Sequence, residues 1–260
     1  MEQRYTTQLQ AGLGLVDETK SLLSLWVPGM TPNQLHQLAL ESGRFPTVTA
    51  RRLRNIVVEC FAPRYLAAAG TPATHLKRLI GSITSADFAQ LLLLFTSRAN
   101  LILGDFVREV YWARYAGGYK QITNDDARIF VERSIDDGKM TKRWSESTVR
   151  RVSAYLTGCC ADYGMLERGS RSSRNILPLR ISTCVVAYLA HELHFSGLGD
   201  NALLSHKDWQ LFGLSREEVL EEIKRLSLTG LLMVQAAGDV IRISWRQSDM
   251  ETLCDVLAKG

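Results

Sequence analysis

Apolar residues recur at helical spacing along most of this chain, and local start and stop signals separate one repeat from the next. One repeat with the i, i+3, i+4, i+7 spacing of a helix that buries one face consists of Leu53, Ile56, Val57 and Cys60. Thr31-Pro32 is a typical helix start, because Thr caps the first turn and Pro suits the first helical position. Only six of the 260 residues are proline, so little interrupts these helices. The pattern predicts a mainly α fold.

Cap signals predict further helix starts, and two kinds of stretch predict strands. The predicted starts are Thr123 with Asp126, Ser145, and Ser215 with Glu218. Residues 231–234 and 240–245 are strand-like, and the second stretch alternates apolar with polar side chains. Residues 165–168 and 175–181 flank a basic tip, which predicts another short hairpin. We therefore expect a helical bundle with helix-turn-helix or winged-helix elements and one or two short β-hairpin wings.

The middle of the chain, residues 84–117, is predicted to form the core scaffold as two strongly apolar helices. Its longest apolar run, residues 88–97, is too short to span a bilayer. No Pro- or Ser-rich linker and no internal repeat marks a domain boundary. The expected organisation is an N-terminal helical region with a helix-turn-helix (1–80), a central scaffold (81–138) and a C-terminal helical region with winged-helix-like elements (139–260).

Positive charge is concentrated in two stretches, although the net charge is only +4. Residues 44–78 hold seven basic residues against Glu59 alone, and residues 139–180 hold nine against three acidic residues. The rest of the chain is therefore net acidic. Because a binding surface responds to local potential rather than to total charge, this segregation favours a polyanionic partner. The alternative is that these residues line solvated helix faces.

The first basic stretch contains a candidate helix-turn-helix at residues 31–61, where two short helices are joined by a tight turn with Gly43. In DNA-binding proteins of this kind the second helix enters the major groove, and its first residues reach the bases. Arginine suits both tasks, since it pairs with phosphate and with guanine. The candidate DNA-binding residues here are Thr49, Arg51, Arg52 and Arg54. Many helical hairpins share this layout without binding DNA, so that alternative stays open.

The second basic stretch has the order helix, basic turn, helix and basic hairpin over residues 125–181, which is a winged-helix order. Its cations surround the start of the second helix and the tip of the hairpin, and hydroxyls at the helix start suit phosphate. The candidate DNA-binding residues are Lys142, Arg143, Ser147, Arg150, Arg151, Arg171 and Arg174. The alternative is a solvated basic helix followed by a disordered loop.

Residues 205–245 match the winged-helix pattern best, but their charge argues against DNA binding. The helix that would enter the groove carries four carboxylates, which a phosphate backbone repels. These are Glu217, Glu218, Glu221 and Glu222. We expect this module to be structural or to contact another protein through those residues.

No residue pattern predicts catalysis, a metal site or a cofactor. His191 and His194 are one residue too close for the HExxH zinc motif, and Gly12 and Gly14 lack the third glycine of a dinucleotide site. The five cysteines form no CxxC pair, as expected of reduced thiols in the cytoplasm. The first residues lack the apolar segment of a signal peptide. We therefore expect a cytoplasmic, non-enzymatic protein without a cofactor.

Several segments together carry a resemblance to a known family. They are Tyr5, Gly12, Glu18-Thr19 and Leu22-Leu23, then Leu35 and Leu40 with residues 49–54, and finally residues 142–151 with 163–167. These segments resemble the BrxA family, core components of the BREX phage-exclusion systems of bacteria. The resemblance implies a mainly helical DNA-binding protein without catalysis of its own, which works beside an adenine methyltransferase and other BREX proteins. It assigns no individual residue.

The expected function is therefore duplex DNA binding, driven mainly by phosphate contacts, within a bacterial phage-defence system. Two alternatives stay open. One is a protein-interaction adaptor that docks another BREX protein through the acidic helix. The other is RNA binding, because proteins of this kind have been likened to a NusB-type antitermination factor.

Overall fold

The computed structural model describes residues 4–140, 142–169, 172–237 and 240–259, and most of the regular structure in these ranges is helical. The predicted mainly α fold with short hairpins is confirmed. The chain forms two compact units, each assembled from two stretches. Unit 1 consists of Met1–Lys77 and Leu92–Pro178, and unit 2 of Arg78–Leu91 and Leu179–Gly260. These units do not follow the chain order of the three regions expected from the sequence.

Unit 1 contains most of the helices of the two basic stretches. In chain order these are α1 (Val16–Leu25), α2 (Pro32–Glu41), α3 (Ala50–Asn55), α4 (Ala62–Tyr65), α7 (Leu101–Phe106), α8 (Trp112–Ala116), α9 (Asn124–Asp136) and α10 (Glu146–Asp162), with 3₁₀ turns at Gln8–Ala11 and Ala68–Gly70. Helices α5 (Thr71–Leu79) and α6 (Ser85–Ala99) contribute residues to both units. The predicted starts are confirmed, since Thr31 and Thr123 each form a capping box and Ser145 caps α10.

Two helices of unit 1 contain a π-helical segment, in which a turn accommodates one extra residue. Ile56–Phe61 joins α3 to α4, and Val107–Tyr111 joins α7 to α8. In the first segment the Ala62 N–H donates to the Val57 carbonyl oxygen, five residues back instead of four. Pro63 follows at once and has no N–H to donate. The helix from α3 to α4 is therefore continuous across the extra residue.

The core of unit 1 is formed by the apolar faces of its helices. The predicted buried face of Leu53, Ile56, Val57 and Cys60 is confirmed, and in α10 and at its end the residues Val149, Val152, Leu156 and Tyr163 are buried as well. In α9, Phe130 and Val131 are buried, but Ile129 is 62% exposed. Consecutive helical residues lie about 100° apart, so a helix with one buried face cannot bury all three. Ile129 therefore lies on the exposed face of α9.

Three short stretches of unit 1 pair around β2 (Ser173–Asn175). Strand β1 (Gln121–Thr123) pairs with β2 in antiparallel register, and residues 165–167 pair antiparallel with residues 175–177. The peptide group between Asn175 and Ile176 bonds to a neighbour on each side. Its Ile176 N–H donates to the Lys120 carbonyl oxygen next to β1, and its Asn175 carbonyl oxygen accepts from the Glu167 N–H. The N–H and C=O of a trans peptide point in opposite directions. Strand β2 therefore lies between β1 and residues 165–167.

Unit 2 packs helices against one hairpin. Its elements are α11 (Thr183–Phe195), α12 (Asp200–Leu204), a 3₁₀ turn at Lys207–Phe212, α13 (Arg216–Ser227), β3 (Leu232–Ala237), β4 (Val240–Trp245) and α14 (Met250–Leu257). Strands β3 and β4 pair antiparallel, and burial alternates along β4 as predicted. Ser215 and Glu218 form the predicted capping box. Ser205 ends α12 rather than capping a helix, because the His206 side chain accepts from the Asp208 N–H and caps the next turn.

The end of β4 lies against α11 through one tryptophan. The Trp245 ring stacks on His194 with centroids 4.4 Å apart and meets His191 edge-on at 4.6 Å. The Ile243 N–H donates to the Asp200 carboxylate at 3.0 Å. These contacts fix the hairpin on the helices of unit 2.

Among the described residues no single helix is long and apolar enough to cross a membrane. Only Ser85–Ala99 and Leu101–Ala116 taken together reach that length and hydropathy, and they are bent by 117°.

Candidate nucleic-acid interface

The start of α10 presents hydroxyl groups and backbone N–H groups at the surface. The Ser145 side chain accepts a 3.3 Å hydrogen bond from the Thr148 N–H, and its Oγ lies 3.1 Å from Ser147 Oγ and 3.0 Å from Thr148 Oγ1. The first N–H groups of a helix lack intrahelical partners, and the helix dipole adds partial positive charge there. The exposed start of α10 is therefore suited to phosphate.

Four cations surround this helix start. Lys142 and Arg143 lie just before α10, and Arg150 and Arg151 lie one turn into it. All four are exposed, and none forms an ion pair within the described ranges. Glu146 is the one carboxylate in the sequence between them. The structure thus brings the predicted cations of this turn and helix together with Ser147 on one exposed helix start.

The hairpin after α10 contributes less than the sequence predicted. Arg174 was expected at a flexible tip, but it lies in β2 opposite Ile122, and its half-buried side chain donates from Nη1 to the Glu167 carbonyl oxygen at 3.1 Å. Strand pairing begins at Ser173, so this side chain is fixed by the sheet. The prediction of a free tip cation at Arg174 is wrong, and Arg171 lies outside the described residues.

A cleft of about 670 Å³ lies along the flank of α10 that faces α9. Its lining includes Trp144 and mixes cations with carboxylates: Arg128, Arg143, Arg150, Asp125, Glu132, Asp136 and Glu146. Arg128 lies 3.6 Å from Asp125 and 3.9 Å from Glu132, so part of this charge is paired internally. The cleft limits the basic surface on this side of α10. Sequence reasoning missed it, although the i, i+3 and i, i+4 spacing of these α9 charges was a visible signal.

The second group of exposed cations lies at the start of α3. Thr49 caps this helix by accepting from the Arg52 N–H at 3.2 Å, as its predicted position required. Arg51, Arg52 and Arg54 are exposed, and Leu53 between them is buried. Within the described ranges Arg51 and Arg54 form no ion pair. The four predicted residues are therefore adjacent on the surface of unit 1.

Arg64 belongs to the first basic stretch by sequence but not to the surface. Its side chain is 3% exposed, and it donates from Nη1 to the Leu13 carbonyl oxygen at 2.9 Å and from Nη2 to the Gly12 carbonyl oxygen at 3.2 Å. Both terminal nitrogens of this buried guanidinium thus have carbonyl acceptors, whereas its Nε has no partner among the described residues. Arg64 therefore holds the N-terminal segment and cannot contact a nucleic acid.

Three further cations of the basic stretches have partners inside the protein. Lys77 donates to the Trp26 carbonyl oxygen, Arg78 pairs with Glu251 at 2.5 Å and Asp255 at 2.9 Å, and Lys139 pairs with Glu109 at 3.5 Å. The local positive charge of both stretches is thus smaller than the sequence count indicates. It is concentrated at the starts of α3 and α10.

The acidic helix α13 is largely neutralised by its own residues. Glu218 accepts from the Ser215 N–H in the capping box at 2.8 Å. Glu221 pairs with Lys224 at 2.8 Å and half-buried Glu222 pairs with Arg225 at 2.5 Å. Glu217 is exposed and has no partner in the described part of the chain. The predicted protein-contact cluster of four glutamates therefore presents far less free charge than its sequence suggests.

The side chains that would serve catalysis or metal binding are buried or dispersed. Burial raises the pKa of Cys159 to about 12 and also raises the pKa of Cys60 and Cys160, which keeps these thiols protonated near neutral pH. His191 is buried, with Nδ1 2.8 Å from the Ala187 carbonyl oxygen. Within the described ranges no three His, Cys, Asp or Glu side chains come together to hold a metal ion.

Fold and surface together define a mainly helical protein that presents groups of exposed cations at the starts of α3 and α10. The chain belongs to the BrxA family, because a sequence model of that family matches residues 3–192. Membership implies a role in BREX phage defence. The chain is also similar in fold to the crystal structure of an uncharacterized protein from Magnetospirillum magneticum, with 16% identity and a TM-score of 0.58 over 82% of this chain and 100% of the other. No curated protein matches the sequence.

Proposed function

We propose that this protein binds duplex DNA within a BREX system, chiefly through phosphates and without catalysing a reaction itself. The observation that carries the proposal is the group of unpaired, exposed cations around the capped start of α10, namely Lys142, Arg143, Arg150 and Arg151. A phosphate backbone is bound by such groups through counterion release. The predicted cations at the start of α3 supply a second contact region.

The strand order around α10 supports this proposal. We infer that residues 121–177 form a winged helix, in which β1, α9 and α10 are followed by two antiparallel strands with β2 in the middle. In such a module the helix that precedes the hairpin enters the major groove. That helix is α10, the one with the exposed cations at its start.

The first test is duplex binding as a function of salt, measured by fluorescence anisotropy with the full chain. If each of the seven cations at α3 and α10 neutralises one phosphate, the plot of log K against log salt has a slope of about −6. Replacing Arg51, Arg52 and Arg54 by Glu, or Lys142, Arg143, Arg150 and Arg151 by Glu, is expected to weaken binding and flatten the slope. No binding by wild type at low salt would refute the proposal.

A double reversal on α13, K224E with R225E, is the matched control. These cations already pair with Glu221 and Glu222, and the helix is acidic, so binding is expected to stay at the wild-type level. Weakened binding in this control alone would assign the contact to unit 2 instead.

Competition by structured RNA of equal length separates DNA from RNA binding, since RNA that displaces the duplex at lower concentration favours the RNA alternative.

A second candidate function, docking of another BREX protein, is supported by unit 2. Three large apolar side chains are exposed around its hairpin: Leu228 at 87%, Met233 at 53% and Val240 at 71%. The strand register places Met233 and Val240 on the same exposed face of the hairpin, and an apolar surface of this kind is typical of protein contacts. In pull-downs with purified BREX proteins, M233K with V240K is expected to abolish capture, whereas E217K is not. Equal capture by wild type and M233K/V240K would exclude the hairpin as the docking surface.

A further inference from the structure

The two adjacent arginines of α10 lie at different angles to the core. The buried face of α10 includes Val149, Val152, Ser153 and Leu156. At about 100° per residue, Arg151 lies about 30° from the direction opposite to that face, and Arg150 about 70° from it. Ser147, one turn before Arg151, lies within about 10° of that direction. Arg151 and Ser147 thus form the row that projects most directly away from unit 1.

Arg150 is displaced towards the cleft on the α9 side. It lines that cleft together with Glu146 and Arg143, whereas Arg151 does not. Arg151 is exposed and forms neither an ion pair nor a side-chain hydrogen bond in the described ranges. When a helix lies in the major groove, side chains opposite its buried face reach the base edges, and those on its flanks meet the phosphate walls.

We propose that Arg151 gives the protein a sequence preference, by pairing its guanidinium with O6 and N7 of a guanine in the major groove. This proposal rests on the duplex binding proposed above. Arg150 and Arg143, on the flank, contact phosphates instead. The Ser147 hydroxyl, one turn earlier on the same row, reaches the neighbouring base. The protein therefore combines salt-sensitive backbone binding with selection for guanine at one position.

The test starts with selection of bound duplexes from a randomised pool by the full wild-type chain. A guanine is expected at one fixed position, with discrimination of about 5-fold to 150-fold against other bases. Replacing that guanine by 7-deazaguanine removes the N7 acceptor without changing base pairing, and it is expected to remove a large part of the preference. The substitution R151K keeps the charge but cannot form the planar two-point contact, so it is expected to lose the preference.

The matched control is R150K, which is expected to keep the guanine preference. Both variants keep the charge, so the salt slope is expected to match that of wild type, whereas affinity for unselected duplex falls in both because each replaces a guanidinium contact. R225K, on α13 and outside the proposed contact regions, is expected to match wild type in affinity and in guanine preference. Binding without any guanine preference in wild type would overturn the role of Arg151 and leave duplex binding intact. So would loss of the preference in R150K but not in R151K. Absence of all duplex binding would instead remove the proposed function itself.

Discussion

The carboxylate of Asp162, at the end of α10, accepts a 2.8 Å hydrogen bond from the backbone N–H of Gly14. The Tyr163 hydroxyl donates to the Gly14 carbonyl oxygen at 3.2 Å. The backbone N–H and C=O of Gly14 thus both bond to residues at the end of α10. The start of the same helix carries the candidate interface. The N-terminal segment therefore stabilises α10 from the end remote from its cations.

Replacing Gly14 by Ala is expected to destabilise the protein by about 1–3 kcal/mol, because the added Cβ would overlap the Cβ of Asp162. D162A is expected to have a cost of similar size, since it leaves the Gly14 N–H without its acceptor. D162N retains an acceptor oxygen and is expected to cost less. Urea unfolding measures all three, and equal stability of D162A and D162N would contradict this account.

Replacing Arg64 by Met is expected to lower the free energy of unfolding by about 2–5 kcal/mol. The substitution leaves the buried carbonyl oxygens of Gly12 and Leu13 without donors. R51M is the matched control at an exposed arginine and is expected to stay within about 0.5 kcal/mol of wild type. Denaturant midpoints of the two variants measure the difference. Similar midpoints would contradict a stabilising role for the buried Arg64 side chain.

Replacing Ser145 by Ala is expected to cost about 1 kcal/mol of stability, because the Thr148 N–H at the start of α10 loses its side-chain acceptor and keeps only the Ser145 carbonyl oxygen. S147A removes a hydroxyl from the same exposed turn without removing the cap, and it is expected to unfold close to wild type. Thermal unfolding followed by circular dichroism compares the two. A larger loss of stability in S147A than in S145A would contradict the role of Ser145 as the stabilising cap of α10.

Stability is expected to fall as the pH is lowered from about 7 towards 5. Burial lowers the pKa of His191 below its ordinary value of 6.5, so the folded state takes up the proton less readily than the unfolded chain. The stabilisation is present above the unfolded pKa and is lost as the pH falls below it. H191F keeps a ring beside Trp245 and removes the titrating group. Its unfolding free energy is expected to depend less steeply on pH than that of wild type. Burial also lowers the pKa of His194, so part of the pH dependence is expected to remain in H191F. An unchanged pH slope in H191F would exclude His191 as a source of the pH dependence.

The sequence predicted best what short-range hydrogen bonds decide. The starts of α2, α9, α10 and α13 were all predicted, because a cap is made by residues three positions apart. Arg64 was misplaced because its acceptors, Gly12 and Leu13, lie about fifty residues earlier in the chain. Arg174 was misplaced for the same kind of reason, since its strand is fixed by pairing with β1.

At the candidate site, residue identity was predictable but pairing was not. Local sequence does not distinguish Lys142 from Lys139, yet Lys139 pairs with Glu109, which is thirty residues earlier and also pairs with Arg133. The glutamates of α13 were a partial exception, because their partners lie three residues away and i, i+3 spacing predicts such pairs. A count of charged residues along the chain therefore overestimates the free charge of a surface wherever distant residues form ion pairs with it.

The π-helical segment at Ile56–Phe61 has a consequence for insertions and deletions. One residue inserted into a regular helix rotates everything after it by about 100°, which here would carry Arg64 from the core into solvent. Because the segment confines the extra residue to a single turn, the helix can lose one residue there and keep Leu53 and Arg64 on their present faces. Deletion of exposed Glu59 is therefore expected to turn the segment into regular α-helix and to leave the fold unchanged.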